Sequence, residues 1–318
     1  MGQARCPLLV GRDEELDTLR RAVDRAAAGQ GGCVLVTGEA GVGKSRLLTT
    51  VVEAASSSGT VVLRGQAVPS PAPAPYRPLI EAFTSGLRGR PPPSGGPASA
   101  GLAPALELLV PAWRTDPAAD RAEPSVVLVG EAALTLLDVA DVGHGVLVAL
   151  DDLQGADPET LGVLDYLVRQ IADRPVLIVA TARHGEVDGA DRWVRSLADR
   201  RAARVLEPAR LSDEEVAAMV TACLAPPTPA AEVVTMLARR AGGLPLLVED
   251  LLTTLLEAGS LTLDGDRWAV CGEVRSVVPS SFATSVADRV AALPAPVRRV
   301  VEAAAVVGER FDWRTVAA

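Results

Sequence analysis

Residues 33–48 read CVLVTGEAGVGKSRLL, and this stretch decides the fold. Residues 33–37 form a short apolar run that predicts a strand, a glycine-rich loop follows, and the pattern from Arg46 onward is helical. This order is typical of a phosphate-binding loop, because glycines let backbone N–H groups come close to a phosphate and turn around it. The start of the helix adds unpaired N–H groups and the positive end of the helix dipole, which also favour an anion.

The loop has the spacing Gly-x-x-x-x-Gly-Lys-Ser, which assigns a role to its polar side chains. We expect Lys44 to contact the β- and γ-phosphates of a nucleotide and Ser45 to ligate Mg²⁺. Lys44 is the only lysine among 31 basic residues, so the chain departs from arginine only where a compact ammonium suits the chemistry. The alternative, a chance glycine turn before a buried helix, does not require this lysine and serine. The loop residues predicted to bind nucleotide are Gly38, Glu39, Ala40, Gly41, Val42, Gly43, Lys44, Ser45 and Arg46.

A second apolar run, HGVLVALDD at residues 144–152, ends in two acids. A continuous apolar run is typical of a central parallel strand covered on both faces, and such sheets bind ligands at the carboxyl ends of their strands. We predict that Asp151 holds Mg²⁺ together with Ser45, and that Asp152 orients or activates the attacking water. Two acids after a strand are a weak signal alone, but downstream of a phosphate-binding loop they indicate a Walker B strand.

A third buried strand is predicted at residues 176–180, and it is followed by Thr181-Ala182-Arg183. In P-loop proteins with an additional strand, the strand after Walker B carries a polar sensor of the γ-phosphate. Thr181 and Arg183 are the candidates for that sensor. For Arg183 the alternative is an ordinary solvated surface position.

The segment LLVGRDEE at residues 8–15 precedes a helical pattern. Its acids lie where a helix N-terminus prefers negative charge, so an ordinary capped helix is one interpretation. Several nucleotide switches carry a similar apolar-apolar-Gly-Arg-x-x-Glu segment that folds against adenine. We therefore predict that Val10, Gly11 and Arg12 contact the adenine.

Composition and charge limit the classes to which the chain can belong. Its 318 residues, 48% hydrophobic and 22% charged, predict a globular protein of about two domains. A net charge of −9 argues against a surface that binds nucleic acid. The four cysteines have neither zinc-site nor disulfide spacing, and no apolar run approaches the ~20 residues that span a bilayer. We expect a soluble, cytoplasmic protein with no membrane segment.

The remaining sequence suggests three domains: residues 1–210 for nucleotide binding, a helical lid at 211–292, and the start of a truncated winged helix at 293–318. Within the first, residues 60–64 and 204–206 predict strands, and residues 67–145 are rich in proline and glycine and predict a surface insertion without chemistry. Beyond residue 211 we predict a capping box at Ser212 and Glu215, a hairpin at 261–270, and helices that include 280–292 and 295–306.

Together these segments resemble the STAND class of signal-transducing ATPases. The closest likeness is to the N-terminal ATPase module of the large ATP-binding LuxR-type transcriptional regulators of actinobacteria. The segments that carry this resemblance follow one another in the family's order across nearly the whole chain: LVGRDEEL, GEAGVGKSRLL, LVALDDLQGADPETL, VLIVATAR, LSDEEVAAMV, AGGLPLLVEDLL and the stretch from residue 278 to 313.

The resemblance implies an α/β P-loop NTPase of the ASCE/AAA+ kind, with a three-layer core around a parallel sheet, an all-α lid and a winged helix. It implies binding of ATP or ADP with Mg²⁺, packing of Pro245 against adenine, slow regulatory hydrolysis of ATP, and self-association in the ATP state. It also implies C-terminal sensor repeats and a helix-turn-helix domain, absent from this chain, that would contact an inducer and DNA.

The sequence differs from the family at two places. The chain has Gln154-Gly155 where the family commonly has His-Trp, and Leu244 before Pro245 where it often has asparagine. The first difference puts in doubt the coupling between the bound phosphate and the helical lid. It is compatible with slow hydrolysis of ATP. The same features leave two alternative functions. One is an AAA-type ATPase that loads or remodels nucleic acid, as in origin-recognition proteins, and the other is a small-molecule kinase, for which neither a substrate base nor a lid arginine cluster is evident.

Overall fold

The computed structural model describes residues 5–68, 74–93, 97–114, 124–184, 189–224, 226–265, 267–271, 287, 290, 291 and 293–307. The chain forms two compact units. The first comprises Leu9–Arg210, and the second comprises the chain from Leu211 onward together with the residues before Leu9.

A five-stranded sheet lies at the centre of the first unit. Its order is β2-β3-β4-β1-β5, and every neighbouring pair is parallel. The predicted α/β fold with a parallel sheet is therefore confirmed. Strand β4 separates β1, which leads into the glycine-rich loop, from β3, which ends in the acids. The strands are β1 (Gly32–Gly38), β2 (Val61–Gln66), β3 (Val146–Asp151), β4 (Val176–Arg183) and β5 (Arg204–Leu206).

Helices cover both faces of this sheet. On one face, α1 and α2 pack against the side chains of Val34 and Val36, and on the other face Cys33 and Leu35 belong to a larger core. This alternation follows from the period of two in a strand, and it produces the three predicted layers. The helices are α1 (Asp13–Ala27), α2 (Lys44–Ser57), α3 (Arg77–Gly86), α4 (Pro97–Leu109), α5 (Val126–Ala140), α6 (Pro158–Gln170) and α7 (Gly189–Asp199).

The prediction that residues 67–145 form a surface insertion is wrong for much of that segment. Helices α3, α4 and α5 supply fully buried side chains to the larger core, among them Phe83, Leu109 and Leu136. Helix α3 lies so close to β2 that a Cβ at Gly65 would be 1.9 Å from the carbonyl oxygen of Pro78. The proline- and glycine-rich stretches join these helices, and parts of those stretches lie outside the described residues.

The second unit is mainly helical. The predicted capping box is confirmed, since Ser212 N donates to Glu215 Oε2 at 2.7 Å and Glu215 N donates to Ser212 Oγ at 3.2 Å. The predicted boundary places residues 5–8 in the nucleotide-binding domain, but they pack in this second unit. Cys6 N donates to Glu249 Oε1 at 2.9 Å. The elements are α8 (Asp213–Leu224), α9 (Ala231–Ala241), α10 (Pro245–Glu257), the antiparallel strands β6 (Leu261–Asp264) and β7 (Arg267–Val270), and the helix Ala295–Val307.

Some predictions for this unit fall outside the described residues. They are most of the helix predicted at 280–292 and residues 308–318 of the predicted winged helix. Among the helices that the structure describes, none is long and apolar enough to cross a membrane. The four cysteines all lie within the described residues, and none of them forms a disulfide.

Candidate nucleotide-binding site

The glycine-rich loop joins the end of β1 to the start of α2, and its glycines adopt backbone angles that other residues avoid. Gly41 has φ 81° and Gly43 has φ 104°, both in the region that a Cβ disfavours. Gly43 is the N-cap of α2, no side chain caps this helix, and no acid lies in its first turn. This arrangement is the one that anion binding at a helix N-terminus needs, so the loop fits a phosphate chain.

Lys44 lies inside the loop. Its Nζ donates to the carbonyl oxygens of Gly38 and Glu39, each at 2.8 Å, and the residue is only 6% exposed. A side chain that contacts phosphate is expected to be partly exposed, and for Lys44 that expectation is wrong. The ammonium thus holds two adjacent carbonyls of the loop, a position that suits a compact charge on a flexible stem.

The predicted metal ligands are in contact. Ser45 Oγ donates to Asp151 Oδ1 at 3.1 Å, so the first turn of α2 meets the end of β3. Asp151 is 6% exposed, and the hydroxyl of Thr181 on β4 donates to the same carboxylate oxygen. A hydroxyl and a carboxylate are hard oxygen ligands, and Mg²⁺ in nucleotide sites takes only one or two such ligands from the protein beside phosphates. The residues present therefore fit Mg²⁺.

Hydrogen bonds fix both the backbone and the side chain of Asp152. Its backbone is left-handed, with φ 59° and ψ 44°, and its N–H donates to Thr181 Oγ1 at 2.9 Å. Gln154 Nε2 donates to Asp152 Oδ1 at 2.8 Å, and Gln66 Nε2 donates to Oδ2 at 3.3 Å. Backbone conformations of this kind persist where the surroundings over-determine them, often at functional sites.

Both glutamines were missed as site residues. Gln66 reaches the site because β2 runs to residue 66, where it pairs with Asp151, rather than ending at residue 64 as predicted. Gln154 stood out only as a difference from a family pattern. Its neighbours Leu153 and Gly155 form a single 3-10 turn with it directly after β3. The register of β2 and β3, which are distant in sequence, brings the amide of Gln66 to Asp152, and no local pattern encodes that register. Gln154 is only two residues from Asp152 and reaches it through the turn.

Arg12 is buried beside the loop. It is 4% exposed, and its NH2 group donates to the carbonyl oxygens of Val42 at 3.1 Å and Ala209 at 2.6 Å, while NH1 donates to that of Gly11 at 2.9 Å. The guanidinium therefore connects the glycine-rich loop to the segment that follows β5. Contact of Arg12, Gly11 and half-buried Val10 with adenine stays a prediction.

A second arginine also reaches the loop. Arg210 Nε donates to Glu39 Oε1 at 2.7 Å and its NH2 donates to Glu39 Oε2 at 2.5 Å, with both side chains about half exposed. This bidentate pair joins the second residue of the loop to the last residue of the first unit. Nothing in the sequence spacing indicated it.

The other predicted residues are placed as follows. Arg183 ends β4 directly beside Gly38 in the sheet register, is half-buried, and donates its backbone N–H to Gln154 Oε1 at 3.1 Å. Ala40 lies in the loop and Arg46 lies in the first turn of α2. Pro245 is the first residue of α10 in the second unit. Thr181 is fully buried, with its hydroxyl bonded to both acids, and its role as a phosphate sensor stays a prediction.

Comparison with known proteins gives the following similarities. The uncharacterized protein R02095 of Rhizobium meliloti (strain 1021) is 29% identical over 197 residues, which cover 55% of this chain and 18% of that protein. The chain thus spans about a fifth of the length of this relative. The structure of the Aeropyrum pernix Orc1 protein in complex with DNA is similar with a TM-score of 0.54 and 17% identity, over 98% of this chain and 82% of that one. A STAND protein with a tetratricopeptide repeat sensor from Pyrococcus horikoshii has a TM-score of 0.44 and 17% identity, over 78% of this chain and 31% of that one.

The likeness to the solved structures concerns the fold alone. A sequence match shows the family: the family described as AAA ATPase domain matches residues 8–179, from the segment before α1 to the middle of β4. This match includes the glycine-rich loop and both acids, and it covers more than half of the chain. The chain belongs to the AAA ATPase domain family.

Proposed function

We propose that this chain is the ATP- and ADP-binding switch module of a larger signal-transducing transcriptional regulator, in which nucleotide exchange and slow ATP hydrolysis control self-association. One observation supports the ATPase part of this proposal: a group of residues beside the glycine-rich loop is joined by hydrogen bonds. Ser45, Asp151, Thr181 and Asp152 are joined there through hydroxyl and carboxylate oxygens and a backbone N–H. Metal ligands and a candidate base thus lie together at the carboxyl ends of adjacent strands.

The proposed chemistry assigns a task to each of these groups. The backbone of the loop and Lys44 bind the β- and γ-phosphates, for which the ammonium exchanges carbonyl partners for phosphate oxygens. Ser45 and Asp151 hold Mg²⁺, which when bound neutralises phosphate charge. Asp152 orients the attacking water and accepts its proton. Thr181 keeps the two acids in register with β4, and Arg183 is proposed to meet the γ-phosphate, supported by its place beside Gly38.

The regulatory part of the proposal is supported by the resemblance to STAND regulators and by the size of the relative, of which the matched region is only 18%. In this proposal further domains contact an inducer and DNA, and residues from 293 onward begin a winged helix. The proposal assigns Val10, Gly11 and Arg12 to adenine, and the family resemblance adds Pro245. The second function, loading or remodelling of nucleic acid, has the fold likeness to an origin-recognition protein in its favour and the net charge of −9 against it.

The experiment that tests this proposal begins with the nucleotide that the purified chain retains, identified by chromatography after heat extraction. Titration with a fluorescent ATP analogue, release of phosphate and light scattering with ATP or ADP follow. We expect retained ADP, binding that depends on Mg²⁺, slow turnover and a larger species with ATP. Lys44→Ala should abolish binding while circular dichroism stays native, and Arg20→Ala, on the exposed side of α1, is the matched control.

The outcomes separate the two functions. Unchanged nucleotide affinity in Lys44→Ala would remove the nucleotide-binding assignment. Sequence-selective DNA binding by this chain at physiological salt, in a gel-shift assay, would favour nucleic-acid loading over the switch. Salt-sensitive binding without sequence preference would not, since phosphate contacts alone produce it.

A further inference from the structure

We infer that Gln154 is a positioning residue that ties the carboxylate of Asp152 to the end of strand β4. The inference rests on the proposed ATPase function and adds a component to it. Gln154 uses both ends of its amide: Nε2 donates to Asp152 Oδ1 at 2.8 Å, and Oε1 accepts from the backbone N–H of Arg183 at 3.1 Å. One uncharged side chain therefore bridges the candidate base and the candidate sensor strand.

The orientation of this amide follows from its partners. A backbone N–H only donates, and an ionised carboxylate only accepts. The oxygen of Gln154 must therefore face Arg183 and its nitrogen must face Asp152. Neither a carboxylate nor an apolar side chain of the same length can make both bonds.

The backbone around Gln154 is fixed as well. The 3-10 turn Leu153–Gly155 is closed by hydrogen bonds from Gly155 N to Asp152 O at 2.9 Å and from Ala156 N to Leu153 O at 3.0 Å. Leu153 is fully buried in the larger core. Because the turn is anchored on both sides, the side chain of Gln154 starts from a fixed point, which positioning requires.

Asp152 is consequently attached to β4 at two points. Its backbone N–H bonds to Thr181, and its carboxylate is linked through Gln154 to Arg183, two residues further along the strand. Arg183 is the register partner of Gly38, the first residue of the phosphate-binding loop. Gly38 O also accepts from the backbone N–H of His184 at 3.3 Å, so a displacement at the start of the loop has a short route through the end of β4 and Gln154 to the candidate base. We infer that Gln154 keeps Asp152 aligned with whatever position β4 and the loop adopt.

The test compares Gln154→Met, which keeps the length of the side chain and loses both bonds, with Gln154→Glu, which keeps the acceptor for Arg183 and loses the donor to Asp152. Gln170→Met, at the exposed end of α6, is the matched control. In each variant kcat and KM for ATP, ADP affinity, Tm and hydrogen exchange at the amide of Arg183 are measured. Exchange does not depend on turnover, so the geometry is tested separately from the activity.

For Gln154→Met we expect kcat to fall about tenfold with KM and ADP affinity unchanged, because a misplaced catalytic group costs rate rather than binding. Exchange at Arg183 should become faster. Gln154→Glu should lose kcat at least as strongly, while exchange at Arg183 stays slow. A merely structural role would lower Tm and change KM in both variants alike.

Two results would overturn the inference in distinguishable ways. If the wild-type chain hydrolyses ATP, and Gln154→Met changes neither kcat nor the exchange at Arg183, then Gln154 positions nothing and the proposed ATPase function stands. If the wild-type chain binds no nucleotide and hydrolyses no ATP, the proposed function fails, and the catalytic part of the inference fails with it.

Discussion

The hydroxyl oxygen of Thr181 lies 2.9 Å from the backbone nitrogen of Asp152 and accepts its hydrogen bond. The same hydroxyl donates to Asp151, and Thr181 is fully buried. A hydroxyl group is a donor and an acceptor at once, so one side chain on β4 sets both acids at the end of β3. The candidate metal ligand Asp151 and the candidate base Asp152 are therefore both positioned by this hydroxyl.

Replacing Thr181 by valine keeps the shape of the side chain and removes both bonds. We expect Thr181→Val to lower the free energy of unfolding by about 1–3 kcal/mol, because the partly buried N–H of Asp152 and the buried carboxylate of Asp151 lose a partner. ATP turnover should fall further than nucleotide affinity does. Urea unfolding and phosphate release measure the two effects. Thr181→Ser retains the hydroxyl and should keep wild-type turnover, although the loss of a buried methyl group costs about 1 kcal/mol of stability. Wild-type turnover in the valine variant would show that the hydroxyl does not organise catalysis.

The two acids should have separable effects. Asp152→Ala is expected to retain ATP and lose hydrolysis, because Asp152 has no bond to Ser45 and its proposed partner is water. Asp151→Ala should also weaken binding, but only in the presence of Mg²⁺. Nucleotide titrations with Mg²⁺ and with a chelator distinguish the two variants. Normal hydrolysis in both would contradict the Walker B assignment.

We expect Arg12 to contribute both to the stability of the fold and to nucleotide binding by the glycine-rich loop. In Arg12→Ala the carbonyls of Gly11, Val42 and Ala209 lose a buried, charged donor. We expect the free energy of unfolding to fall by about 2–3 kcal/mol, and ADP affinity to fall because Val42 belongs to the phosphate-binding loop. Thermal unfolding with and without ADP measures both effects. Arg20 is exposed and lies further along α1, so Arg20→Ala is the control. It should leave the free energy of unfolding and the ADP affinity unchanged.

Acid sensitivity is predicted for the contact between α6 and the end of α7. Partial burial raises the pKa of Asp165, but hydrogen bonds from Arg200 and Arg169 outweigh it and hold that pKa below its usual value. A carboxyl with a depressed pKa stabilises the folded chain above its unfolded pKa of about 3.9, and this contribution is lost as the pH falls further. Asp165→Asn should cost less than about 1 kcal/mol at pH 7 and distinctly less at about pH 2. Equal destabilisation at both pH values in urea titrations would contradict the ion-pair explanation.

The sequence by itself determined the features that are encoded within a few neighbouring residues. The strand–loop–helix at 33–48, the apolar run that ends in Asp151, and the capping box at Ser212 all form where they were predicted. Asp157 before Pro158 likewise caps α6, with its carboxylate accepting from Thr160 N at 2.7 Å. Such features depend on local backbone geometry and hydrogen bonding, which residue type and spacing specify directly.

Only the tertiary structure decided which distant groups meet at the site. Gln66 lies 86 positions before Asp152 in the sequence, and Arg12 lies 197 positions before Ala209. Their contacts require a particular strand order and register, which arise from the packing of whole helices against the sheet and leave no local pattern in the sequence. The same reason explains why α3 to α5 belong to the core rather than to the surface. The proline and glycine residues between these helices can be recognised in the local sequence, but the sheet face that the helices cover cannot.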